Sequence, residues 1–166
     1  ESFRKHANSP FSVCMDRWMT YRDLDRRSAA LGAYLQSLGL EPGARVAIML
    51  PNVPQFGVTM AAVLRAGYTC VNVNPLYTAR ELQHQLRDSG ASAIVILENF
   101  AHTLAEVVDN TAVQHVVMAS MGDLLGPVYG PWITFAVRHL AKMVPAYELP
   151  LTNGRKVVPF KKALAL

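Results

Sequence analysis

The sequence predicts an α/β fold, a doubly wound and mostly parallel sheet with helices on its faces. Val46 to Leu50 and Ala91 to Leu97 are nearly unbroken apolar runs, as strands covered on both faces must be. Between such runs lie helix-length segments with apolar residues at helical spacing, which are the crossovers that parallel neighbours require. At 166 residues the chain is long enough for one compact domain with a real core.

Residues 1–7 fit the tail of a helix that Ser9-Pro10 breaks, and Phe11 to Met15 fits a short strand. Thr20 offers an N-cap for a helix carrying Leu24, Leu31, Tyr34, Leu35 and Leu38, with Gly39 as its stop. Turn chemistry at Glu41-Pro42-Gly43 leads to the strand Arg45 to Leu50, then to a helix from Pro54 to Ala66 closed by Gly67. The grammar repeats with strand Thr69 to Val73, helix Thr78 to Asp88 and strand Ser92 to Leu97. Thr78 and Glu81 have the spacing of a capping box. A helix over 99–110 and a strand over His115 to Ala119 complete the regular part. Two regions are therefore expected: residues 1–120 as the α/β unit, and residues 121–166 as a Gly/Pro-punctuated stretch with one amphipathic helix, Trp132 to Val144, between Pro131 and Pro145. Glu1 in place of Met, and a helix beginning at Lys161 that stops at Leu166, read as cuts at both ends.

Charge excludes some partners. Sixteen Lys and Arg against twelve Asp and Glu leave +4, and the basic residues are scattered, so nothing tracks a phosphate backbone and nucleic acid is not expected. Cys14 and Cys70 lie in apolar stretches and read as core thiols of a reducing, cytosolic compartment. No run approaches the roughly 20 apolar residues of a membrane span. The helix Trp132 to Val144, with Arg138 and Lys142 one turn apart, keeps open a peripheral contact with the inner membrane.

A search for chemistry finds scaffold. Neither the Gly-Lys-Ser/Thr phosphate loop nor Gly-x-Gly-x-x-Gly occurs, and those glycines are what let a backbone approach phosphate. The five histidines lack metal-ligand spacing, and no metal site is expected. His84 and Asp88, one turn apart, fit a solvated surface pair. Neither cysteine has an activating neighbour, and no catalytic residue is assigned.

The stretch Asn72-Val73-Asn74-Pro75-Leu76-Tyr77-Thr78-Ala79-Arg80-Glu81-Leu82, followed by Asp88-Ser89-Gly90-Ala91, resembles the adenylate-forming acyl-CoA synthetases, the bacterial long-chain fatty acid CoA ligases in particular. The similarity extends through Arg45 to Asn52, Leu64-Arg65-Ala66-Gly67 and Asn99-Phe100-Ala101-His102-Thr103-Leu104, and loosens after Leu125. It implies the N-terminal subdomain of an enzyme that converts a long-chain fatty acid and ATP, with Mg2+, to an acyl-adenylate, which CoA then captures. It also implies that the phosphate-holding loop and a catalytic lysine lie beyond Leu166, so that the 166 residues alone are inactive. In some members of that family the turn matching Asn74, Pro75 and Leu76 and a position near His102 border CoA, and these four residues are the candidate CoA-side wall. A non-catalytic docking module, dimeric or membrane-touching, is the alternative.

Overall fold

A computed structural model describes residues 2–165. A short helix α1 (Ser2–Lys5) precedes an antiparallel hairpin, β1 (Pro10–Cys14) with β2 (Arg17–Thr20). The hairpin stands apart from the main sheet, and its second strand, polar but for Trp18 and Met19, has no counterpart in the sequence expectation. Its turn places Met15 and Asp16 at positive φ, a conformation that ordinarily announces itself through glycine.

The main sheet joins β3 (Arg45–Met49), β4 (Thr69–Asn72), β5 (Ala93–Leu97), β6 (His115–Ala119) and β7 (Lys156–Pro159) in the order β4-β3-β5-β6-β7, every pairing parallel. Alternation along the strands divides the core. Val46, Ile48, Val95 and Val117 face α2 (Tyr21–Ser37) and α3 (Pro54–Arg65), where Leu31, Leu35, Val58 and Val63 are fully buried. Ala47, Met49, Ile94, Ile96 and Val116 face Leu82 and Leu86 of α4 (Ala79–Ser89) and Leu104 of α5 (Ala101–Val107). Helices thus cover both faces, and the expected doubly wound sheet is present.

Local chemistry sets the helix ends. Thr20 with Asp23, and Thr78 with Glu81, form full capping boxes, and Gly90 ends α4 in the left-handed conformation at φ 63. The helix expected over 99–110 is α5 with a 3-10 turn at each end. The two cysteines are free but half-buried and not core residues. Cys70 lies on the edge strand β4, partly buried against the core, and Cys14 on the hairpin.

Beyond β6 the chain departs most from expectation. Gly122 and Gly130 pack backbone to backbone, and a Cβ at Gly122 would lie 1.9 Å from the Gly130 carbonyl. This contact starts α6 (Tyr129–Phe135) ahead of Trp132, and a π-helical turn, Ala136–Leu140, carries the helix to its end, short of the expected Val144. Lys142 follows at φ 50. The chain then returns to the sheet as β7, unforeseen from sequence, and α7 (Phe160–Ala163) packs Phe160 and Ala163 into the core beside α2. The expected C-terminal helix is α7; Glu1 and Leu166 lie outside the described residues.

Candidate functional site at the carboxyl edge of the sheet

From β3 the chain steps to β4 on one side, then crosses to β5 on the other. Such a reversal leaves a crevice at the carboxyl ends of the strands, the place where open α/β sheets receive ligands. In this protein the crevice is framed by Pro51 to Gln55 after β3, Glu98 to His102 after β5 and Ser120 after β6.

A polar network closes it. Gln55, wholly buried on α3, donates from Nε2 to the Ser120 carbonyl at 2.8 Å. The Ser120 amide donates to Asp123 Oδ2 at 2.7 Å, and Lys161 Nζ lies 3.9 Å from Asp123 Oδ1. Burial pushes the Asp123 carboxyl above the usual carboxylate range, against the Ser120 amide and Lys161, which pull it down. Glu98, 1% exposed, accepts from Arg138 Nε at 2.8 Å and from its Nη2 through the same oxygen, and Arg138 Nη2 also reaches Ser120 Oγ. That hydrogen bond first, and the charge of Glu98 with it, raises the Arg138 pKa. Asn99 Nδ2 donates to the Met143 carbonyl at 3.0 Å. Residues of the π turn and the following loop therefore lie across the crevice, and a shallow cleft of about 450 Å³ remains between Glu98, Arg138, His139 and Tyr147.

The network ties the segment after α6 to the sheet; among its described residues no nucleophile is paired with a base. Burial raises both cysteine thiols, the reverse of activation. Among the described residues no three His, Cys, Asp or Glu side chains gather as a metal site. The turns after β3, β4 and β5 lack a glycine-rich loop and a carboxylate cluster, so they do not fit a nucleoside triphosphate or its magnesium ion.

The sequence-predicted residues share this edge but not one cavity. Asn74 Oδ1 accepts from the Leu76 amide at 3.0 Å and the Asn74 carbonyl from Tyr77, so the turn is self-bonded and leaves Leu76 83% exposed. Half-buried Pro75 follows the edge strand β4. His102 opens α5 with Nε2 3.3 Å from Thr103 Oγ1 and Nδ1 buried without a partner. No hydrogen bond joins this turn to His102 among the described residues. His84 and Asp88 are exposed on α4. Glu98 is not singled out from sequence, where a charged residue directly after an all-apolar strand is its one local signal; Arg138 figures there only in a basic strip and Asn99 only within the stretch of family resemblance.

The profile of the family described as "AMP-binding enzyme" matches residues 1–129. A long-chain-fatty-acid–CoA ligase of Escherichia coli O157:H7 is 52% identical over 165 residues, which are 99% of this chain and 28% of that protein. The ligase of the same name from Haemophilus influenzae is 44% identical over 100% of this chain and 29% of its own length. The chain thus spans about 28% of the length of such relatives. Among solved structures, an anthranilate CoA ligase in complex with anthranoyl-AMP superposes with TM-score 0.72 at 18% identity, covering 97% of this chain and 26% of its own. A long-chain-fatty-acid-CoA ligase from Archaeoglobus fulgidus gives 0.60 at 21% identity, covering 92% and 29%. At these identities the structures establish the shared fold.

Proposed function

Because this chain belongs to the AMP-binding enzyme family, we propose that it serves as the N-terminal α/β part of an ATP-dependent long-chain fatty acid CoA ligase. The observation that carries this is 52% identity to a protein of that activity over 99% of the chain. In the proposed reaction the fatty acid carboxylate attacks the α-phosphorus of ATP, giving acyl-adenylate and pyrophosphate. The CoA thiol then takes the acyl group, releasing AMP. Mg2+ bound with ATP would offset the negative charge of the triphosphate; in this account the present residues contribute the sheet and the crevice beside which CoA passes. The test is mass spectrometry of the complete protein with oleate, ATP, Mg2+ and CoA. Oleoyl-CoA is expected, and the absence of thioester with every acid from C8 to C18 would refute the proposal.

Asn74, Pro75, Leu76 and His102 are proposed as part of the CoA-side wall, supported by the exposed Leu76 and the unpartnered His102 Nδ1. Asn74→Ala with His102→Ala in the complete enzyme is expected to raise the KM for CoA about tenfold, the loss of one to two hydrogen bonds, with the KM for ATP unchanged. An unchanged KM for CoA removes these residues from the wall.

A second reading, contact with an acidic membrane surface from the cytoplasmic side, is favoured by the exposed Val128, Trp132, Phe135, Leu140 and Met143 beside Arg138 and Lys142. Trp132 and Phe135 stack at 6.0 Å between ring centroids. Trp132→Ser with Phe135→Ser is then expected to abolish co-sedimentation with phosphatidylglycerol vesicles. Equal sedimentation of variant and parent would exclude this helix as the contact.

A further inference from the structure

We propose that residues 136–147 form a hinged cover over the carboxyl-edge crevice, held shut by the Arg138–Glu98 pair. The clamp is anchored on a rigid base, because Glu98 and Asn99 directly follow β5, a strand whose five residues are all buried. Arg138 reaches Glu98 through Nε and Nη2, and Asn99 holds the Met143 carbonyl. Apolar anchoring is slight by comparison. Of α6 and the π turn only Gly130 is buried, and Phe135, Leu140 and Met143 face outward. The polar links therefore decide whether the segment stays down.

Its backbone departs from regular helix at two places. The π-helical turn lies directly before Lys142, a non-glycine residue at φ 50, and such features gather where segments switch. The shut form also carries a cost in its polar groups. Glu98 Oε1 and Asn99 Oδ1 are sealed from water with no donor, and lifting the cover hydrates both. Arg138, with its side chain 46% exposed, loses little by returning to water. A charge-assisted pair holding a segment shut against two buried unmet acceptors is a balance that a modest contribution tips. A ligand that enters at this switch point and offers N–H or O–H donors to those acceptors binds the open form and shifts the population toward it.

Hydrogen exchange on the complete protein tests this, with Arg138→Gln as a surface variant that leaves the core intact. The amides of Ala141 and Met143, bonded to Ala136 and Val137 carbonyls, are expected to exchange about tenfold faster or more, the effect of losing a hydrogen bond to a charged group. Amides of β5 and β6 are expected to stay unchanged. Glu98→Gln, which keeps the shape and removes the charge, is expected to give a smaller rise at the same amides. Unchanged Ala141 and Met143 exchange in both variants would overturn the proposal. So would an equal rise through β5 and β6, because the pair would then hold the sheet itself.

Discussion

Arg155→Ala is expected to lower the unfolding free energy by on the order of 3 kcal/mol, read from the midpoint of a urea transition at constant slope. Arg155 is 4% exposed at the entry to β7. Its Nε donates to the Val113 carbonyl at 3.1 Å and its Nη2 to that of Val108 at 3.3 Å, while Nη1 meets Asp109 Oδ1 at 2.8 Å, the Pro150 carbonyl and Thr152 Oγ1. Thr152 in turn donates to Asp109, and these bonds hold the Asp109 carboxyl below the usual carboxylate range. Asp109 is 46% exposed and rehydrates readily in the variant, so the loss falls on the carbonyls of Val113 and Pro150, and less on that of Val108, which keeps the amide and hydroxyl of Thr111 as donors. Arg155→Lys keeps the charge without the fork and is expected to recover less than half the loss. A change below about 1 kcal/mol for the alanine variant, the range of exposed ion pairs, would mean that β7 docks independently of this residue.

Phe160→Ala is expected to cost about 3–5 kcal/mol, the range for emptying an aromatic site in a packed core. Phe160 has no exposed surface and lies in the cluster that joins α2 and α3 to the strands. Phe160→Leu keeps most of the apolar volume and is expected to cost less than half as much. Equal losses for both variants would point to ring-specific packing in place of cavity formation. Both predictions concern the segment after residue 150, which lies beyond the family profile but within the alignment to the Escherichia coli ligase, and they make that segment part of the core.

What could be read from the sequence follows from the range of the interactions. Val46 to Leu50 and Ala93 to Leu97 announce central strands because burial on both faces demands continuous apolar residues. Thr20 and Thr78 announce helix starts because capping acts within one turn. β7 was not legible: four residues, Lys156–Pro159, at the sheet edge carry too little pattern, and the guanidinium that fixes them bonds to carbonyls up to 47 residues away. The end of the helix past Trp132 was misjudged because a backbone contact between Gly122 and Gly130, and the π turn that follows, set its course instead of Pro131 and Pro145. At the candidate site, the turn at Asn74 and the start of α5 at His102 were found through resemblance. The Glu98–Arg138 pair spans 40 residues, and a charged residue directly after an all-apolar strand is its one local sign.

The central claim is that these residues are the scaffold of an acyl-activating enzyme whose phosphate chemistry needs sequence that they do not contain. The most direct measurement is fatty-acid-dependent pyrophosphate release from ATP, made on the complete protein and on the 166-residue chain in parallel. Release by the complete protein that depends on oleate, with none above background from the 166 residues, is the expected result. Release from the 166-residue chain alone, or none from the complete protein, would contradict it.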